Sequence, residues 1–202
     1  RARALYAAGG ADVEAGSDRV RFGRDMLGNW LARAPSRFTL HARDPGKTLQ
    51  VGDGHLFFAS VGGPAYVCNL DGGRRQGSYA EQCDFLKVVQ SLNILHQEGG
   101  GPFEALDIDS RTRHLDLYYA QATLLDKNWQ PQGLGSAVAL DAIDVAAISL
   151  GRTRDDMLGH CVFTTIINTN SPLQLDVPMA EGLIIMAEHG QCNVITPFTL
   201  AG

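Results

Sequence analysis

The tripeptide His96-Gln97-Glu98 places an imidazole and a carboxyl two positions apart, a pair that can exchange protons near neutrality or hold a cation. A solvated histidine at the end of an element is the competing reading. Asn168-Thr169-Asn170-Ser171-Pro172-Leu173 sets two amides and two hydroxyls directly after an apolar run, with Pro172 fixing the backbone behind them. Those groups can face a ligand, or they can form an Asx/Ser turn into the next helix. Aromatic faces suited to a quaternary ammonium are offered by Phe198, two residues past Thr196, and by Trp129, for which core packing is the alternative. His96, His114, His160 and His189 fall on different segments with no H-E-x-x-H, and Cys68, Cys83, Cys161 and Cys192 form no C-x-x-C. No metal site is expected from such spacing, and the four thiols are expected reduced and mostly buried.

Positioning these residues takes elements with a defined order. Up to about residue 80 the chain alternates short apolar segments (38–41, 48–51, 56–60, 65–68) with Asp44-Pro45-Gly46, Gly52-Asp53-Gly54, Gly62-Gly63-Pro64 and Asp71-Gly72-Gly73, which predicts a small antiparallel sheet. One short helix fits 25–34, ended by Pro35. Beyond Tyr79 the period becomes helical. Helices are expected over 81–95, from a Ser110 cap, from a Ser136 cap to Gly151, and over 176–189. Between them lie a weak strand at 129–134, a strand at 161–167 that reads as covered on both faces, and another at 193–196.

Strands alternating with helices of this length predict a parallel sheet of βαβ units. A doubly wound sheet fits the count, yet the place of its glycine-rich phosphate turn is taken by His96-Gln97-Glu98-Gly99-Gly100-Gly101. The fold class expected is α/β: a partial (β/α)8 (TIM) barrel of about four βα units over 81–202, preceded by a β-rich region over 1–80. Parallel barrel strands deliver their carboxyl ends to one rim. The substrate-binding set expected there is His96, Glu98, Asn168, Asn170, Ser171, Thr196 and Phe198, with no catalytic residue assigned. The opening residues enter a helical phase without an initiator Met, and the closing ones begin a new connection, so the chain reads as a segment cut at both ends and inactive alone.

Composition limits the partners. The 202 residues are 45% hydrophobic and 19% charged with a net charge of −5, ordinary for a globular domain. The longest basic run is Arg74-Arg75, so nucleic acid is not an expected partner. Apolar runs such as 183–187 are too short to cross a bilayer, and a cytoplasmic protein is expected.

Several short motifs, in this order, carry a resemblance. They are Arg43-Asp44-Pro45, Gly52, Gly63-Pro64, Gly73-Arg74-Arg75, His114-Leu115-Asp116-Leu117-Tyr118 leading to Asp126-Lys127, Asn170-Ser171-Pro172-Leu173, and Thr196-Pro197-Phe198-Thr199-Leu200-Ala201-Gly202. Together they resemble the trimethylamine methyltransferase family over nearly the whole chain. Where that family commonly has Asp-Lys-Pro, this chain has Asp126-Lys127-Asn128, so its second barrel strand is expected to start differently. The resemblance implies a (β/α)8 enzyme that moves a methyl group from a methylated amine to the reduced cobalt of a separate corrinoid protein. It implies no tightly bound cofactor and a homo-oligomer at full length. The family divides into a trimethylamine branch carrying pyrrolysine and a larger branch, including glycine betaine enzymes, without it. The pyrrolysine position falls beyond Gly202. A lyase or aldolase using His96 and Glu98, or a non-catalytic fragment, are the alternative readings.

Overall fold

Ser78 starts the first long helix with a reciprocal cap: its hydroxyl accepts from Glu81 N while the Glu81 carboxylate accepts from Ser78 N, satisfying two amides the helix leaves unpaired. The helix over Val177–Glu188 begins in a similar way, with Asp176 Oδ1 accepting from Met179 N at 2.8 Å and Pro178 in the first turn. These and the other elements belong to a computed structural model that describes residues 1–170 and 173–197. The chain divides into two compact units, Arg1–Phe38 and the remainder from Thr39.

In the first unit, α1 (Ala2–Ala8) and α2 (Arg24–Leu31) flank an antiparallel ladder of β1 (Asp12–Val13) and β2 (Val20–Arg21). Trp30 Nε1 donates to Gly9 O at 2.9 Å, and Tyr6 meets Phe22 edge to face at 5.2 Å. Neither helix buries a residue.

From the boundary of the two units onward come two further ladders, β3 (Phe38–Leu40) with β4 (Leu49–Val51) and β5 (Val67–Asn69) with β6 (Gly73–Arg75). They remain separate pairs instead of one antiparallel sheet. Segment 56–60 forms no strand: Ala59 bridges Gln97 in parallel, and Ser60 N donates to Gln97 O. After them come α3 (Tyr79–Ser91), α4 (Arg113–Leu124), α5 (Ser136–Ser149), β7 (Thr164–Thr169), α6 (Val177–Glu188) and β8 (Cys192–Pro197). Each helix packs on the next, and α6 also packs on β7 and β8.

Parallel pairing links this half of the chain in sequence order. Gln97 bridges Asn128, Trp129 bridges Phe163, and β7 pairs with β8 from Thr164↔Cys192 to Thr169↔Pro197. The architecture is therefore mixed α/β with consecutive parallel contacts, and no closed barrel forms among the described residues. Segment 129–134 contributes only a bridge. Pro131 removes a donor where a longer ladder would need one.

On one face, Trp129 and Phe163 join Leu86, Val89, Leu117, Ala142 and Ile143 in a core between strands and helices. Thr165 and Ile167, two and four residues beyond Phe163, lie on that face and are buried. The opposite face is not covered along its whole length, contrary to the expectation for 161–167, because Ile166 is 39% exposed. Helix α4 starts after Thr112, not Ser110, since Asp109 draws Arg111 into a local turn. Ser136 is the first residue of α5; Gly135 at φ +97° precedes it as the cap. All four cysteines are free; Cys68 is exposed and the others half-buried, so fewer are buried than expected. Among the described residues no helix is long and apolar enough to cross a membrane.

Candidate functional site

Alternation along β7 sends Thr164, Ile166 and Asn168 to the face away from the helices, beside their register partners Cys192, Val194 and Thr196. At the amino end of this face two amides converge on one hydroxyl. Gln97 Nε2 donates to Thr164 Oγ1 at 2.7 Å and Gln130 Nε2 donates to the same oxygen at 2.8 Å, all three residues being buried. Ile166 and Val194 form an apolar middle layer, open to solvent at 39% and 38%. At the carboxyl end Thr196 Oγ1 donates to Asn168 Oδ1. That bond leaves the Asn168 amide NH2 to donate and the Thr196 oxygen to accept at the strand ends.

The structure brings Asn168 and Thr196 together and disperses the other expected residues. Asn170 is exposed; its backbone exchanges hydrogen bonds with Gln174 and its side-chain amide donates to Asp176 Oδ2, the N-cap of α6, at 3.3 Å. His96 is half-buried against segment 58–60: Phe58 N donates to its Nδ1 at 3.1 Å and the two rings stack at 6.3 Å. Ser171 and Phe198 lie outside the described residues.

Glu98 faces the opposite way from Gln97. It is 0% exposed, and its carboxyl accepts from Gly101 N at 2.8 Å, Gly100 N at 3.1 Å and Gln121 Nε2 of α4 at 2.5 Å. Burial pushes this carboxyl above the ordinary carboxylate range, against the pull of those amides. Both glycines sit at φ above +90°, where only a residue without Cβ turns the backbone freely toward the carboxyl. Glu98 thus holds the turn after the first parallel segment. His96 and Glu98 are consecutive on the chain's alternation yet serve different neighbours.

Gln97, Gln130 and Thr164 were not singled out from the sequence. Their signal is polar residues interrupting apolar runs at strand positions, Gln97 before Glu98 and Thr164 inside Cys161-Val162-Phe163-Thr164-Thr165-Ile166-Ile167.

The motif residues frame this layout from the other end. Arg43 Nη2 meets Asp126 Oδ1 at 2.6 Å, and Gln90 Nε2 donates to Asp126 Oδ2 at 3.0 Å. The Arg43 guanidinium holds the Asp126 carboxyl below its usual range. Lys127, buried, donates to Val89 O at 2.7 Å and Leu92 O at 2.8 Å, closing the carboxyl end of α3, and burial lowers its pKa. Asn128, at the departure from Asp-Lys-Pro, donates its amide to His41 O. His114 Nε2 pairs with Asp141 Oδ2 at 2.8 Å. Among the described residues no three of His, Cys, Asp and Glu converge on a metal position.

A relative is the glycine betaine methyltransferase of Desulfitobacterium hafniense (strain Y51), 32% identical over 184 residues, which are 91% of this chain and 38% of that protein. The chain thus spans well under half the length of that relative. The family described as Trimethylamine methyltransferase (MTTB) matches over residues 1–202. With the family matched over residues 1–202, the chain belongs to the trimethylamine methyltransferase family.

Proposed function

We propose that this chain supplies the first part of a (β/α)8 barrel, beginning near residue 81, in an enzyme that transfers a methyl group from a quaternary methylated amine to a separate corrinoid protein. The observation that carries the reading is the Asn168–Thr196 pair at the carboxyl ends of two parallel strands in a chain of this family, with 32% identity to a glycine betaine methyltransferase. The face bearing the pair has the graded character a betaine needs. Ile166 and Val194 accept its methyl groups, and the free N–H of the Asn168 amide suits its carboxylate.

The corrinoid, carried by the partner protein, supplies the nucleophile as reduced cobalt. A quaternary nitrogen departs as a neutral tertiary amine, so no proton has to be delivered to the leaving group. The residues of this chain are left with orientation: Asn168 and Thr196 fix one end of the substrate, and Phe198, two positions past Thr196 in the chain, supplies the aromatic face for its ammonium. Glu98 keeps its turn closed and excludes water behind it.

The test is spectroscopic. Full-length protein is mixed with its Co(I) corrinoid partner and, in turn, glycine betaine, other betaines and trimethylamine, while cobalt absorbance is followed. A methyl-cobalt spectrum dependent on a quaternary amine is expected. No such spectrum with any methylated amine removes the proposal.

A further inference from the structure

Residues 41–44 cross the amino ends of two parallel segments as a strap. His41 N donates to Cys161 O at 2.8 Å, its carbonyl accepts from the Asn128 side-chain amide, and Asp44 N donates to Asp126 O at 3.1 Å. Where the strap begins, the His41 imidazole lies flat against that of His160, with ring centroids 3.9 Å apart and planes 15° from parallel. His160 is held from behind: its N donates to Met157 O at 3.0 Å and its carbonyl accepts from Gln191 Nε2 at 3.2 Å. Both histidines are half-buried, so solvent protons can reach them.

Neutral imidazoles stack through their π faces, whereas two imidazolium ions at that separation repel. The charge around the pair adds to the repulsion. Burial, then the Arg152 guanidinium, lowers the pKa of His41 from the ordinary 6.5; burial, then His41, then Arg152, lowers that of His160. Other charged groups on the surrounding elements are engaged elsewhere: Arg43 with Asp126, Lys127 with the carbonyls of Val89 and Leu92, Asp156 with Thr153, and His189 Nδ1 with Ile185 O. We propose that the His41–His160 stack is an acid-released clasp, which holds the strap across the parallel layer while both rings are neutral and frees it when they gain protons. An open strap carries rings of ordinary pKa and a closed one resists charging, so the open form binds more protons at acid pH. If both rings stay neutral in the closed form, the opening equilibrium rises about a hundredfold between pH 7.5 and pH 5.5; if only one does, it rises about tenfold. The clasp lies at the amino ends of the strands and does not depend on the methyl-transfer reading.

The experiment follows hydrogen exchange in the full-length protein by mass spectrometry, corrected for the intrinsic rate at each pH, on peptides covering the strap and α5. Exchange at the imidazole C2 positions gives each ring's titration midpoint. Both midpoints are expected below 6.5, and the strap is expected to exchange tenfold to a hundredfold faster at pH 5.5 than at pH 7.5 while α5 keeps its protection. Arg152→Gln, at an exposed position, is expected to raise both midpoints and reduce the acid response. His160→Phe keeps a flat ring that cannot charge and is expected to leave at most a tenfold response. If His160→Phe does not fold, Arg152→Gln and the unaltered protein still decide. Strap exchange that is constant with pH, or that rises equally in α5, overturns the proposal, as do midpoints at or above 6.5.

Discussion

Glu98 is the residue whose chemistry and surroundings are most at odds, a carboxyl with no exposed surface, held by two amides and a glutamine. Its folded pKa lies above the unfolded value of about 4.3. Between those two values the native state binds more protons than the unfolded one, so this group's contribution to stability falls as pH rises. Glu98→Gln has one acceptor oxygen where the carboxyl has two, and loses either the Gly101 bond or those of Gly100 and Gln121. The variant is expected to be about 1–3 kcal/mol less stable at pH 4, with the gap to wild type narrowing toward pH 8. Urea unfolding across that range measures it; a gap that is constant or widens contradicts the burial argument. At the proposed substrate site, Phe198→Ala removes an aromatic face worth about 0.5–2 kcal/mol to a cation. Asn168→Ala removes one hydrogen bond, worth about 1 kcal/mol. Each is expected to raise the Kd for a quaternary amine several-fold in the full-length enzyme, by calorimetry. Unchanged affinities in two folded variants would place the amine elsewhere.

At the scale of elements, α6 seats on the turn after the second parallel segment without clearance. A Cβ on Gly182 would lie 2.3 Å from Gly133 O and 2.7 Å from Gly133 C, both backbone atoms that no rotamer change can move. A Cβ on Gly133 would in turn meet Thr165 Cγ2 at 2.8 Å and Ile167 Cδ1 at 3.0 Å. The two glycines therefore set how closely helix, turn and β7 approach. Gly182→Ala gains helix propensity of roughly 1 kcal/mol, yet forces α6 outward, and overpacking costs about 1–3 kcal/mol or more. A net fall in Tm is expected by circular dichroism. A rise would mean that the helix can shift freely and that the contact does not fix its seat.

For the whole molecule, the informative feature is apolar surface on the parallel layer. Val194 and Ile195 on β8 are exposed, as is Ile166 beside Val194 on β7. A parallel strand edge with apolar neighbours invites association, since both its backbone groups and its side chains seek partners. Residues 1–202 produced alone are expected to self-associate in sedimentation velocity, and Ile166→Lys with Val194→Lys to reduce that association. A monodisperse, cooperatively unfolding monomer would show that this surface is tolerated as it stands.

The sequence by itself determined the helices and their order, because caps and periodicity are local: Ser78 with Glu81, and Asp176 with Pro178, act within one turn of chain. It also carried the family, through short motifs in a particular order along the chain. The division of labour among polar residues was decided only by tertiary structure. His96, Gln97 and Glu98 are adjacent, yet one meets Phe58, one meets Thr164 on β7 and one meets Gln121 on α4, partners 38, 67 and 23 positions away. A strand turns alternate side chains to opposite faces, and which face meets helices or neighbouring strands is set by pairing across the sheet, which no local pattern contains. Asn168 and Thr196 became neighbours for the same reason, through the parallel register of β7 on β8.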